Sequence, residues 1–125
     1  MTNLTSPGET RKINGVKRFM NHAGRDMPME ITIAAEKLVA TETDGTLIGQ
    51  IDYPFVDAAA KRVVLERVFV NPAYRGQGIA GKLMAAFVDY ADQAGLTVKL
   101  MCPYAKMSFQ KHPEYRRLLA LEEQN

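Results

Sequence analysis

The pattern of apolar and polar residues in the middle of the chain predicts antiparallel strands. Lys37–Thr41 and residues 47–55 flank Thr43-Asp44-Gly45, a turn sequence, and this combination is typical of a hairpin. Residues 62–70 carry two apolar runs, which indicates a central strand buried on both faces. Three antiparallel strands are therefore expected in this region.

Helical periodicity begins after Pro72. The apolar positions with this spacing are Ile79, Ala80, Leu83, Met84, Phe87, Tyr90, Ala91 and Ala94. Gly95 stands where a left-handed helix cap belongs. Residues 96–101 predict a short strand, Pro103 suits the first position of a second helix, and Pro113 limits that helix.

The ends of the chain show weaker patterns. Residues 1–28 are interpreted as an N-terminal tail, within which residues 13–22 predict a short basic helix. The domain is expected to span residues 29–119, followed by a C-terminal tail over residues 120–125.

Composition and charge exclude several classes of protein. With 125 residues, of which 46% are hydrophobic and 24% charged, the chain suits one globular domain. No apolar run is long enough to cross a bilayer and no secretory signal is visible, so a cytoplasmic location and no membrane partner are predicted. The net charge of +2 is scattered, which gives little support for nucleic-acid binding. The single cysteine, Cys102, and the distant pair His22 and His112 predict no disulfide and no metal site.

A glycine-rich turn joins the central strand to the first helix. Arg75-Gly76-Gln77-Gly78 at this place would direct unpaired backbone N–H groups and a positive helix end towards one point, which suits a pyrophosphate. A plain strand-to-helix turn is the simpler alternative. Dinucleotide binding is a third, because Gly76-x-Gly78-x-x-Gly81 satisfies G-x-G-x-x-G. However, five residues separate the strand from the glycines, and no acidic residue ends the next strand.

Two motifs resemble a known family. Residues 70–80 resemble the acetyl-CoA signature [QR]-x-x-G-x-[GA] of the GCN5-related N-acetyltransferase superfamily, with Arg75, Gly78 and Ala80 at the defining positions. Cys102-Pro103-Tyr104-Ala105-Lys106 resembles the C-terminal motif of its small acetyltransferase-like subfamily. The likeness covers about residues 31–118. It implies a single-domain α/β fold with a mixed sheet, flanking helices, and fourth and fifth strands that splay apart.

The resemblance also implies a cofactor site. Acetyl-CoA would be the acyl donor, without a metal, and an unidentified primary amine would be the acceptor. The cofactor-binding residues would be Val68, Phe69 and Val70, whose backbone would pair with pantetheine, then Arg75, Gly76, Gln77, Gly78, Ile79 and Ala80 around the pyrophosphate, and Phe109. Phe109 stands where the family usually has a tyrosine acid, and Arg67-Val68 stands where the subfamily usually has His-Thr. These departures keep open an alternative, an acyl-CoA-binding or sensing module without turnover.

Two residues are candidates for catalysis. Glu66 lies within an apolar strand, where partial burial would make its carboxylate a stronger base; the alternative is an ion pair with Arg62 or Arg67. Cys102 precedes a predicted helix N-terminus, which favours the thiolate and would allow a thioester intermediate. A small, inert apolar residue is the alternative role for Cys102.

Overall fold

The computed structural model describes residues 10–12, 17–20, 24–34 and 36–120. The strands are β1 (Thr10–Lys12), β2 (Lys17–Met20), β3 (Asp26–Ala34), β4 (Lys37–Thr41), β5 (Leu47–Asp52), β6 (Phe55–Asp57), β7 (Arg62–Leu65), β8 (Arg67–Val70) and β9 (Thr97–Leu100). The helices are α1 (Ile79–Ala94) and α2 (Pro103–Lys111), with 3₁₀ turns at Pro72–Tyr74 and Pro113–Leu118. The predicted α/β class is confirmed.

The strands form two sheets, and the continuous stretch over residues 62–70 contributes one strand to each of them. In the larger sheet β3, β4, β5 and β8 are neighbours in that order, and β1 and β2 both pair with β3. All of these pairs are antiparallel. In the smaller sheet β7 lies between β6 and β9 and runs parallel to β9. The strands taken together therefore include antiparallel pairs and one parallel pair, in agreement with the mixed sheet that the resemblance implied.

The predicted strand over residues 62–70 is two strands that meet at Glu66. Leu65 is the last residue paired with β9, and its carbonyl accepts hydrogen bonds from the N–H groups of Met101 and Cys102, at 3.1 and 3.2 Å. The next N–H group, that of Glu66, instead donates to the carbonyl of Asp52 on β5, at 2.9 Å. The chain thus changes neighbours at one residue, and β8 diverges from β9.

Burial follows this change of neighbours. Val63, Val64 and Leu65 are buried, so β7 matches the prediction of a strand covered on both faces. β8 does not match it: Arg67 is exposed and the next three residues are only half-buried. The prediction was wrong for β8 because a parallel partner covers only the first half of the stretch.

Helix α1 packs across β4 and β5 and supplies much of the core. Its buried face includes Leu83, Met84 and Phe87, which lie at the predicted helical spacing. Gly95 caps the helix with φ of +73°, as predicted. At Gly49 on β5, a Cβ atom would lie 2.6 Å from the carbonyl oxygen of Phe69, so only glycine allows β5 and β8 to approach this closely.

The N-terminal part of the chain differs from its prediction. The described part of residues 13–22 is strand β2, not a helix, and it pairs with β3 from Lys17 opposite Met29 to Met20 opposite Asp26. Phe19 is 1% exposed and belongs to the core. A single short helix is marginal in water, whereas pairing with β3 satisfies the backbone and buries Phe19. Residues 13–16 and 21–23 lie outside the described residues, and the domain limits at residues 28 and 119 stay a prediction.

The second predicted helix is confirmed, whereas residues 121–125 of the predicted C-terminal tail lie outside the described residues. Pro103 is the first residue of α2, and Pro113 starts a separate 3₁₀ turn after α2 ends. Within the described part of the chain, no helix is long and apolar enough to cross a membrane.

Candidate functional site

A cleft of about 480 Å³ lies between β8, the glycine-rich turn and the start of α2. Its lining residues are Val68, Phe69, Val70, Tyr74, Arg75, Gly76, Gly78, Ile79, Ala80, Gly81 and Tyr104. Eight of these eleven were predicted as cofactor-binding residues, so segments that the sequence separates into strand and turn share one cavity.

β8 forms one wall of the cleft. One edge of the strand pairs with β5, from Gly49 opposite Val70 to Asp52 opposite Arg67. Its other edge has no strand partner among the described residues, because the pairing with β9 ends at Leu65, before β8 begins. Backbone groups on such an edge can bind an extended ligand as an additional strand.

The side chains of β8 alternate between the two faces of the sheet. Val68 and Val70 pack against the core, whereas the guanidinium of Arg67 lies over the ring of Phe69, 5.0 Å from its centroid. The wall therefore has an apolar side that supports it and a side that carries a fixed cation.

The glycine-rich turn closes one end of the cleft. Asn71 starts it: the side-chain oxygen accepts from the N–H of Ala73 at 3.1 Å, and the side-chain amide donates to the carbonyl of Leu47 at 2.8 Å. Gly76 and Gly78 have φ of +82° and +75°, the left-handed region that favours glycine. No atom lies within 4 Å of where a Cβ would project from either residue. A ligand can therefore approach the backbone directly.

The start of α1 gives this end of the cleft its charge. Gly78 is the N-cap residue and provides no side-chain cap, so the N–H groups of the first turn are left for another acceptor. Ile79, Ala80 and Gly81 line the cleft at this point. The helix dipole adds partial positive charge there, which favours an anion such as a phosphate.

Arg75 and Gln77 lie on either side of Gly76 and behave differently. Arg75 is exposed, and its Nε donates to the carbonyl of Val70 at 3.0 Å, which ties the turn to the end of β8. Gln77 is half-buried, and its Oε1 has no hydrogen-bond partner within the described ranges. Gln77 does not line the cleft, in contrast to the other predicted turn residues.

The start of α2 supplies the opposite wall. Cys102 is the N-cap residue of α2 and is 8% exposed, while Tyr104 reaches the cleft two residues later. A Cβ at Gly81 would lie 3.9 Å from the hydroxyl of Tyr104, so the hydroxyl faces the first turn of α1. Burial, followed by the electrostatic effect of the neighbouring Cys102, raises the pKa of Tyr104. The phenol is therefore protonated at neutral pH.

Besides Gln77, three other predicted site residues lie apart from this lining. Glu66 is exposed at the break between β7 and β8, so the partial burial expected for it is wrong. Phe109 is 2% exposed and its ring packs edge-on against Tyr115, with ring centroids 5.5 Å apart. Cys102 is buried at the end of the cleft wall rather than in its lining. The roles proposed for these three residues stay predictions.

Three lining residues, Tyr74, Gly81 and Tyr104, were not predicted as site residues. Tyr74 and Gly81 adjoin the acetyl-CoA signature in sequence, so the signature could have indicated that they line the same site. Tyr104 gave no signal of its own, because only the packing of α2 determines which of its residues faces the cleft. In the described ranges, no group of three or more His, Cys, Asp or Glu side chains could hold a metal ion.

Among the described residues, the free edge of β8 lies beside an uncapped helix N-terminus in an α/β domain, an arrangement whose geometry suits an extended ligand that carries phosphate. The family is shown by a model of the GCN5-related N-acetyltransferases, which matches residues 37–118. The chain belongs to this acetyltransferase family. No match was found among curated proteins.

Similar solved structures include the following three, of which the first supports the fold assignment. A GCN5-like protein from Staphylococcus aureus is 25% identical, with a TM-score of 0.58 over 73% of this chain and 87% of that chain. A nourseothricin acetyltransferase is 19% identical, with a TM-score of 0.44 over 82% of this chain and 69% of its own. The spermidine/spermine N-acetyltransferase SpeG from Vibrio cholerae is 16% identical, with a TM-score of 0.47 over 63% of this chain and 48% of its own.

Proposed function

We propose that this protein binds acetyl-CoA in the cleft and transfers the acetyl group to a primary amine. The observation that supports the proposal most directly is the continuity of the cleft, from the free edge of β8 to the uncapped N-terminus of α1. A ligand that joins a pyrophosphate to an amide-containing chain matches both ends of such a cleft.

The two ends would bind chemically different parts of the acyl donor. The amides of pantetheine would hydrogen-bond to the backbone of Val68, Phe69 and Val70, as an added strand does. The pyrophosphate would accept hydrogen bonds from the backbone between Gly76 and Ala80, where left-handed glycines keep side chains away.

Acetyl transfer requires three groups around the thioester: one that accepts the amine proton, one that stabilises the oxyanion, and one that protonates the departing thiolate. The amine nitrogen attacks the thioester carbonyl, the carbon–sulfur bond breaks, and the amine loses a proton. A backbone N–H near Val70 is our candidate for stabilising the oxyanion. Glu66 stays a candidate for accepting the amine proton, directly or through water, because it stands where β8 leaves β9.

Protonation of the departing thiolate needs a donor on the other wall. Phe109 has no proton to give and is enclosed against Tyr115. Tyr104 lines the cleft and is protonated at neutral pH. We therefore assign Tyr104 as the candidate acid, which would donate its phenolic proton to the thiolate sulfur.

A covalent route through Cys102 is the second possible course of the reaction. The sulfur of Cys102 would attack the thioester carbonyl and break its carbon–sulfur bond, and coenzyme A would leave as a thiolate that takes up the proton lost by Cys102. The amine nitrogen would then attack the acetyl-cysteine carbonyl, which forms the amide, releases the Cys102 sulfur and returns the amine proton to it. Cys102 is the N-cap residue of α2, so its sulfur lies at the N-terminal end of that helix. Its low exposure of 8% restricts access to a small acyl group.

Binding and transfer are tested by two measurements on the same protein. In thermal unfolding, coenzyme A should raise the melting temperature, because a ligand that binds only the native state stabilises it, whereas NAD should not. Mass spectrometry with acetyl-CoA and a mixed library of amines then detects transfer as a mass gain of an acetyl group on an amine. Stabilisation by NAD but not by coenzyme A would refute the proposed ligand.

The acyl-CoA-binding module without turnover is the second candidate function, favoured by the buried Phe109 at the place of the family acid. It predicts the same thermal shift with coenzyme A but no acetylated amine. The two candidates therefore share the first measurement and separate at the second.

A further inference from the structure

Tyr74 connects the glycine-rich turn to a distant hairpin. It ends the 3₁₀ turn at Pro72–Tyr74, two residues before Gly76, and lines the cleft although it is only 8% exposed. Its hydroxyl donates a hydrogen bond to the carboxylate of Glu42, which lies in the connection between β4 and β5. This hydrogen bond, with burial second, raises the pKa of Tyr74 to about 12. The turn is thus held at its first end by a charge-assisted hydrogen bond.

Strand β2 supports the same region from another direction. Phe19 is 1% exposed and its ring meets the Tyr74 ring edge-on, with centroids 5.5 Å apart and planes at 72°. The amino group of Lys82, in the first turns of α1, donates a hydrogen bond to the backbone carbonyl of Arg18. Residues on both sides of the glycine-rich turn therefore contact β2.

The turn itself offers few contacts that could hold it. Arg75, Gly76 and Gly78 are exposed, and open space surrounds the Cβ positions of both glycines. The glycines also make more backbone conformations accessible to the turn when no ligand is bound. The geometry of the turn must therefore be imposed by its neighbours, through the contacts of Tyr74 and through the hydrogen bond from Arg75 to the carbonyl of Val70.

We propose that Glu42, Tyr74 and Phe19 are positioning residues that hold the glycine-rich turn in its ligand-binding geometry, and that β2 is consequently part of the cofactor site. This inference rests on the proposed function. The family model matches residues 37–118, and strand β2 lies outside that range. The contacts by which β2 supports the glycine-rich turn are therefore additional to the region that the family model covers. A preorganised turn binds a ligand more tightly because less ordering remains to be done on binding.

The test uses two conservative variants of the full chain. Tyr74→Phe keeps the ring and its packing on Phe19 but removes the hydroxyl. Glu42→Gln keeps a hydrogen-bond acceptor but removes the charge. We expect coenzyme A, titrated by calorimetry, to bind on the order of tenfold more weakly to Tyr74→Phe, the equivalent of one charge-assisted hydrogen bond. Glu42→Gln should show a smaller loss in the same direction.

Two further readouts separate positioning from general stability. The double variant should lose no more affinity than Tyr74→Phe alone, because the two groups act through one contact. Where transfer is measurable, KM for acetyl-CoA should rise and kcat should stay within about twofold, since none of the three residues acts on the reacting atoms. Phe19→Leu, which keeps an apolar side chain without the edge-on ring contact, should weaken coenzyme A binding in the same way.

Tyr53→Phe is the matched control. Tyr53 is 1% exposed, its hydroxyl lies 3.5 Å from the carbonyl of Lys37, and it does not line the cleft. This variant should lower the melting temperature and leave coenzyme A affinity within about twofold. If Tyr74→Phe also binds coenzyme A within twofold of wild type, the positioning role is refuted and the proposed function stands. If wild type itself does not bind coenzyme A, the proposed function fails, and this inference fails with it.

Discussion

The two ends of helix α1 allow a controlled test of the phosphate site. Gly78 precedes the helix with φ of +75° and Gly95 follows it with φ of +73°. Replacing either by alanine puts a Cβ into the left-handed region, at a cost of about 1 to 2 kcal/mol. For a domain of this size we expect a loss of about 4 to 8 °C in melting temperature for each variant, without ligand.

The variants differ in what surrounds the new methyl group. At Gly95 the nearest atoms belong to the Lys61 side chain, at 3.8 Å, which is an ordinary contact far from the cleft lining. At Gly78 no atom lies within 4 Å of the new methyl group, and Gly78 is a lining residue of the cleft. A methyl group there would hold a pyrophosphate away from the backbone N–H groups of α1.

The expected result is a difference in the thermal shift caused by coenzyme A. At a ligand concentration about 100 times Kd, wild type gains about 2.7 kcal/mol, or roughly 11 °C. A tenfold weaker Kd leaves Gly78→Ala with about 1.4 kcal/mol, or roughly 6 °C. Gly95→Ala should keep the full wild-type shift. Equal shifts in both variants would show that the glycine-rich turn is not the phosphate site.

Three other predictions concern single side chains. Incubation with acetyl-CoA and no amine should give a hydroxylamine-labile acetyl group on Cys102 that is absent in Cys102→Ser; if wild type stays unmodified while both proteins acetylate an amine equally, the covalent route is excluded. Tyr104→Phe should lower kcat with little change in coenzyme A affinity, and an unchanged kcat would remove Tyr104 as the acid. The free energy of unfolding of wild type should exceed that of Tyr74→Phe by a full amount below pH 10, and the excess should disappear as pH rises towards 12, because the pKa of Tyr74 is raised to about 12 in the folded state. Denaturant unfolding at several pH values measures the excess. An excess that grows above pH 10 would contradict this prediction.

Features that depend on neighbouring residues were predictable from the sequence. The spacing from Ile79 to Ala94, the cap at Gly95 and the start of α2 at Pro103 all agree with the structure. Each depends on backbone preferences and side-chain periodicity within one or two turns of helix. The glycine-rich turn belongs with them, because positive φ at Gly76 and Gly78 is a local property of glycine.

Features that depend on pairing between distant segments were decided by the tertiary structure. An apolar run over residues 62–70 looks uniform in sequence, yet residues 62–65 pair with β9 and residues 67–70 pair with β5. This change of partner at Glu66 opens the cleft. Lys17–Met20 is a strand because β3 is available to pair with it. The helix α2 likewise turns Tyr104 to the cleft and Phe109 to Tyr115. The sequence by itself therefore determined helices α1 and α2, the cap at Gly95 and the glycine-rich turn, whereas the partner of each strand and the residues that face the cleft follow from contacts that no local pattern encodes.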